Sequence, residues 1–191
     1  MKGMTDKPMG TSKTGPVPKP ETLSEPEIRL SVDVMHHSPE WADEVEDAFL
    51  MRAANAAYME GSSATPPAEI SLLLTANEEI RTLNKNWRSR DEATNVLSFP
   101  LNAPQCSKAP NTLGDVAMAF QTVANEAAER NIPVSQHAAH LVVHGVLHLL
   151  GYTHTNDSQA RKMEALEIRI LETLDLPDPY AIDVMTRGEG Q

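Results

Sequence analysis

The stretch VSQHAAHLVVHGVLHLLGYTH, residues 134–154, decides how this chain is read. It is apolar enough to sit in a core, yet it carries five of the seven histidines. The spacing predicts a helix over Val134–Leu150, with Pro133 before it and Gly151 at the position where a helix ends in a left-handed turn. His144 and His148 are four apart, so they are offset by about 40° around the helix axis and about 6 Å along it. Both imidazoles then leave one face and can share an ion.

The Gly151 turn can bring His154 back to the same point. The pattern H-x3-H-x2-G-x2-H matches the ligand spacing of metzincin proteases. Three neutral nitrogens leave one coordination position open, as catalytic sites do, whereas structural sites usually close with four protein ligands. His144, His148 and His154 are therefore the predicted metal ligands, with one Zn²⁺ per chain as the best match to three imidazoles. Proteases of this spacing carry a Glu after the first histidine as general base, and here that position is Gly145. His140, one turn earlier on the same face, is read as a packing or ligand-supporting residue with a possible substrate role. His137 is expected to be exposed. His36 and His37 end a strand and read as structural or solvent-facing.

Outward from this helix, IRLSVDV (28–34) alternates as a half-buried strand does. Ser38-Pro39 predicts a helix start, the helix running to about Met59. EISLLLT (69–75) reads as a buried strand, and Asn77 as the cap of a helix to Trp87 with Ile80, Leu83 and Trp87 on one face. Strands follow at 94–99 and 114–120, separated by a polar loop over 101–112. Helices are predicted at 121–130 and from Asp157 or Ser158 to about Leu174. Four strands and five helices in mixed order indicate a single α+β domain, with the metal site at the end of a central helix. Residues 1–26 are rich in Pro, Lys, Ser and Thr and are expected to be a disordered tail. The domain spans 27–185, and 186–191 form a short C-terminal tail.

Of 191 residues 40% are hydrophobic, enough for a core, but only 4% are aromatic, so aliphatic side chains must fill it. The single cysteine, Cys106, allows no intrachain disulfide and fits a reducing compartment. No signal peptide and no membrane-length apolar run is visible, so a soluble cytoplasmic protein without a membrane partner is expected. A net charge of −11 argues against non-specific nucleic-acid binding. The charge is segregated, however. Acids crowd 40–47, while 81–90 holds Arg81, Lys85, Arg88 and Arg90 and no acid. Arg81, Lys85 and Arg88 fall on one helical stripe, which is either a solvated face or an anion-binding edge. An activated water with an arginine beside it points to a hydrolase of anionic, phosphate-ester substrates.

HGVLHLLGYTH (144–154) resembles the signature of the YbeY family, bacterial endoribonucleases that act as rRNA maturation factors. NKNWRSRDEATNVLSFP (84–100) and LGDV (113–116) are similar to two further family blocks, as are Met163-Glu164 and Pro179-Tyr180. The resemblance covers roughly residues 28–181. It implies a mixed four-stranded sheet with helices, zinc on His144, His148 and His154, and Arg88 as a catalytic residue near the metal. It implies zinc-dependent cleavage of single-stranded RNA, 16S rRNA 3′-end maturation and ribosome quality control. The small ribosomal subunit with its proteins and the GTPase Era would be partners. Arg81 and Lys85 are further candidates for substrate binding. One departure stands out: the family has Asp before the third histidine, and this chain has Thr153, with Asp157 a nearby substitute. The alternatives are a hydrolase of another substrate, such as a peptide, and a non-catalytic assembly factor with a structural metal.

Overall fold

A computed structural model describes residues 29–63, 65–101 and 111–181. The proposed tails, most of the 101–112 loop and Cys106 lie outside them.

Four strands form one mixed sheet in the order β1 (Leu30–His36), β2 (Ala68–Thr75), β4 (Asn111–Ala119), β3 (Val96–Pro100). β1, β2 and β4 run parallel, and β3 pairs antiparallel with β4 through Ser98 opposite Val116. The 94–99 and 114–120 segments are thus direct neighbours, which periodicity alone left open. β4 begins at Asn111, inside the segment expected to be loop, because Asn111 and Thr112 register against Ala68 and Glu69. Phe120 opens α3 instead of closing the strand.

Alternation in β2 determines which face is core. Ile70, Leu72 and Leu74 are buried on one side, against a cluster that includes Leu50, Ala53, Ala57, Val142 and Val146. Those side chains come from α1 (Asp47–Gly61) and α4 (Val134–Leu149), which pack with α5 (Asp157–Glu172) on that face. Burying apolar surface here follows the usual ~25 cal/mol per Å². The opposite face is only partly covered. There α2 (Asn77–Arg88) packs Ile80 with Leu97 and Ala119.

Two helix predictions need correction. The expected helix from Ser38 is a 3-10 turn, Pro39–Trp41, and α1 starts only at Asp47. Trp41 is the cause: its ring is fully buried, edge-to-face with Phe120 at 5.4 Å, and its indole N–H donates to the Thr75 carbonyl. That anchor ties the turn to the end of β2. Ser38 caps no backbone group and donates to Glu40 instead. Asn77 is the first residue of α2, not its cap, and its side chain accepts from Thr122. Ile80 is buried and Leu83 packs beside it, while Trp87, on the same side of α2, meets Phe99 of β3 edge-on and stays 72% exposed.

Among the described residues, no helix is long and apolar enough to cross a membrane.

Candidate metal centre

α4 is buried along nearly its whole length, and its last turns carry His144 and His148. Gly145, between them, faces the sheet. A Cβ built there would lie 2.9 Å from Val116 Cγ1 and 3.2 Å from Ser98 Oγ. The absent side chain lets the helix rest on β4 and β3, and the Ser98 hydroxyl donates to the Gly145 carbonyl at 3.2 Å. That contact orients both histidines away from the sheet.

The helix then ends in a Schellman turn. Gly151 has φ +91°, its N–H donates to His148 O, and Tyr152 N–H donates to Leu147 O, each at 3.0 Å. The Tyr152 hydroxyl donates to Gly61 O at 3.0 Å, which fastens the turn to the end of α1. His154 follows and returns to the histidines of α4. Asn156 caps α5 by accepting from Gln159 N–H.

His144, His148 and His154 each offer a ring nitrogen, all within 4.8 Å of one another. His144 Nδ1 faces Glu167 Oε1 at 2.8 Å, and His148 Nδ1 faces the Tyr152 carbonyl at 2.9 Å. Both partners are acceptors, so the proton of each ring belongs on Nδ1 and the lone pair on Nε2. Those two Nε2 atoms lie 2.9 Å apart. At that separation the two nitrogens either share a proton or converge on a cation, and His154 brings a third ring nitrogen to the same point. Nitrogens sharing a tetrahedral zinc ion sit about 3.3 Å apart, so the donor set fits such an ion. Burial, and then the neighbouring His144, push His148 down to about 4, so its ring is neutral and ligand-ready at neutral pH.

Glu167 was missed in the sequence. Its side chain has no exposed surface, and it takes His140 Nε2 at 3.1 Å and the Tyr180 hydroxyl as well as His144. Burial alone would raise its pKa, but the hydrogen bonds from His140, His144 and Tyr180 outweigh it and hold the group down at about 2. Burial and the adjacent Glu167 push Tyr180 well above the ordinary phenol range, so it stays a donor. The signal was available. Glu167 shares the apolar face of α5 with Met163, Leu166 and Ile170, where an acid has no reason to be unless it is partnered. Thr153 is exposed, and among the described residues no hydrogen bond joins Asp157 to the histidines. The carboxylate hydrogen-bonded to this cluster is that of Glu167, in the middle of α5.

His140 is buried at 8% exposure, hydrogen-bonds Glu167 and meets the His144 ring edge-on with centroids 6.5 Å apart. His137, expected to be exposed, is 2% exposed and pairs with Glu126 at 2.6 Å. The α4 face on which it sits is covered by α3 and the segment after α5. His36 and His37 are exposed and pair with Asp47 and Glu79, as surface histidines do.

The basic stripe divides. Arg81 Nε and Lys85 Nζ both converge on Asp91, at 2.8 and 2.9 Å. Arg88 ends α2, with Ser89 left-handed at φ 58° behind it. Its guanidinium donates to the Ser98 carbonyl at 3.1 Å. Ser98 therefore joins two elements: its carbonyl holds Arg88, and its hydroxyl holds the Gly145 carbonyl beside His144.

Residues 34–175 match the family described as Endoribonuclease YbeY. A protein of that name from Bradyrhizobium diazoefficiens is 43% identical over 166 residues, covering 84% of this chain and 90% of the relative. One from Rhodopseudomonas palustris strain BisB18 is 46% identical over 145 residues, covering 74% and 86%. The solution structure of TM1509 from Thermotoga maritima aligns with TM-score 0.48 at 19% identity, over 76% of this chain and 91% of that one. By sequence along most of its length, the chain belongs to the YbeY endoribonuclease family.

Proposed function

We propose that this protein is a zinc-dependent, single-strand-specific endoribonuclease that matures the 3′ end of 16S rRNA and serves ribosome quality control in the cytoplasm. The observation that carries the metal part is the pair of Nε2 lone pairs facing each other at 2.9 Å, each with its Nδ1 committed to an acceptor. Family membership supports RNA as the substrate. The small ribosomal subunit, its proteins and the GTPase Era are the proposed partners.

His144, His148 and His154 would hold the ion, and the chemistry zinc supplies at such a site is Lewis-acid polarisation of a phosphoryl oxygen and activation of water. Glu167 holds the His144 ring in one tautomer and orientation, and Tyr152 does the same for His148 through its carbonyl. Arg88 is the proposed catalytic residue. One of its five N–H donors is spent on Ser98, which leaves the rest of the fork for a phosphate oxygen. Arg81 and Lys85 remain proposed substrate contacts, although both already pair with the single carboxylate of Asp91, which leaves the three groups a net charge of about +1. His140 acts on the site through Glu167.

A peptidase reading has no support in the geometry. The position of the missing glutamate base faces Val116 and Ser98, with no room for a longer side chain.

The test is metal analysis of the purified protein together with cleavage of single-stranded RNA, with and without chelator. About one zinc per chain and chelator-sensitive cleavage are expected. Metal-free protein with full activity would sink the zinc mechanism. If metal removal unfolds the domain, the structural-metal alternative gains.

A further inference from the structure

The sheet face opposite α1 and α4 carries a groove that meets the proposed reaction only at Arg88. It has a volume of about 740 Å³, within the ~300–1,000 Å³ typical of ligand sites. Its floor is β2 and β4 and its wall is the end of α2. Four large hydrophobic residues are exposed among the described residues, and three of them, Met35, Trp87 and Leu101, line this one groove. Scattered apolar exposure is ordinary, but concentration in one concave site marks a binding surface.

Trp87 is the centre of it. Its ring meets Phe99 edge-on, with centroids 6.1 Å apart and planes at 65°, while 72% of the residue remains in solvent. An aromatic held at one edge and left open is a stacking platform. The polar groups are sorted by sign around it. Arg88, adjacent in sequence, lines the rim, and Ser71 and Asp115 lie on the sheet below. A phosphate is attracted at Arg88 and repelled at Asp115. Asp115 can instead accept from the N–H groups that nucleobases carry on their edges. Arg88 also donates to the Ser98 carbonyl, and the Ser98 hydroxyl donates to Gly145 O beside His144, so the strand under the groove is the one against which α4 rests.

We propose that this groove is a base-binding subsite, in which an unpaired nucleobase of the RNA strand stacks on Trp87 beside Phe99 while its phosphate rests on Arg88. The proposal rests on the endoribonuclease reading above. It also supplies a physical reason for single-strand preference: a base paired in a duplex cannot turn into a groove under an aromatic ring.

The chain has two tryptophans, and the other, Trp41, is fully buried, so collisional quenching separates them. The experiment titrates the full-length, metal-loaded protein with a 2′-O-methyl single-stranded oligoribonucleotide and with a matched oligomer carrying abasic positions. Steady-state cleavage by Trp87→Ala and Trp87→Phe is measured alongside. The base-bearing oligomer should quench Trp87 emission saturably, and the abasic oligomer should bind about 10-fold more weakly and leave the emission unchanged. Trp87→Ala should raise KM for single-stranded RNA about 10-fold with kcat within about threefold, and Trp87→Phe should recover most of the loss. Unchanged KM in Trp87→Ala, with RNA cleavage intact, overturns the subsite alone. So does Trp87 emission already shielded from acrylamide without RNA, which would mean that the groove is filled by another part of the chain or by a protein. Failure of the unaltered protein to cleave RNA overturns the endoribonuclease reading together with the subsite.

Discussion

His144 Nδ1 lies 2.8 Å from Oε1 of Glu167, a carboxylate from a different helix with no exposed surface. The pair couples α4 to α5 at the point where the ligand geometry is set. Glu167 is in turn held by His140 and Tyr180, so its position does not depend on the metal.

Glu167→Gln keeps the shape and removes the charge. Zinc affinity, measured by competition with a chromophoric chelator, should fall about 10- to 100-fold, as it does when carboxylate partners of ligating histidines are lost. Tyr180→Phe should cost less, since two donors to Glu167 remain. Equal affinity in Glu167→Gln and the unaltered protein would remove the orienting role.

Arg88→Ala should lower kcat for RNA cleavage by about 10²-fold or more, the usual loss when a donor to developing charge is removed. Arg81→Ala and Lys85→Ala should each change it by less than about threefold, because both side chains are already committed to Asp91. A large kcat loss in Lys85→Ala with a small one in Arg88→Ala would reverse this ordering of roles.

Gly145→Ala pushes a methyl group against Val116 and Ser98. Overpacking of this kind costs about 1–3 kcal/mol. At about 2–4 °C per kcal/mol for a domain of this size, thermal melting should shift down by roughly 2–12 °C. An unshifted melt would show that α4 can lift from the sheet at no cost.

Glu126 is set between competing effects. Burial raises its carboxyl, but hydrogen bonds from His137 and Asn95 and the charges of His137 and Arg130 outweigh it, so it lies below the ordinary carboxylate range. A carboxyl lowered on folding contributes stability above its unfolded pKa of about 4.3 and loses that contribution as pH falls through the folded value. Glu126→Gln should therefore be less stable than the unaltered protein at pH 7 by on the order of 1 kcal/mol. The gap should close as the pH falls well below 4. Denaturant melts at the two pH values check this, and a gap that widens in acid would refute it.

Most of the fold was legible because hydrophobic period is a local property. The alternation in β2 and the apolar run of α4 announce themselves within a few residues, and so does the glycine that ends α4. The three histidines were legible for the same reason: a helix and its terminal turn place them without help from the rest of the chain. Where two distant segments compete, local reading failed. Trp41 broke an expected helix because it packs on Phe120, a residue 79 positions away. His137 is buried because α3 and the segment after α5 close over it.

What the sequence by itself determined was the grouping of His144, His148 and His154, the glycine at 145 where a metzincin has its glutamate, and the α+β class. Only the tertiary structure decided which way the rings are protonated, because that depends on acceptors brought in by other elements: Glu167 from α5 and the Tyr152 carbonyl from the turn. It also decided that Arg81 and Lys85 share one carboxylate, Asp91, while Arg88 turns toward the strand beside α4. Spacing along one helix fixes direction in space, but charge and protonation answer to whatever the fold places opposite, and that partner is rarely nearby in the chain.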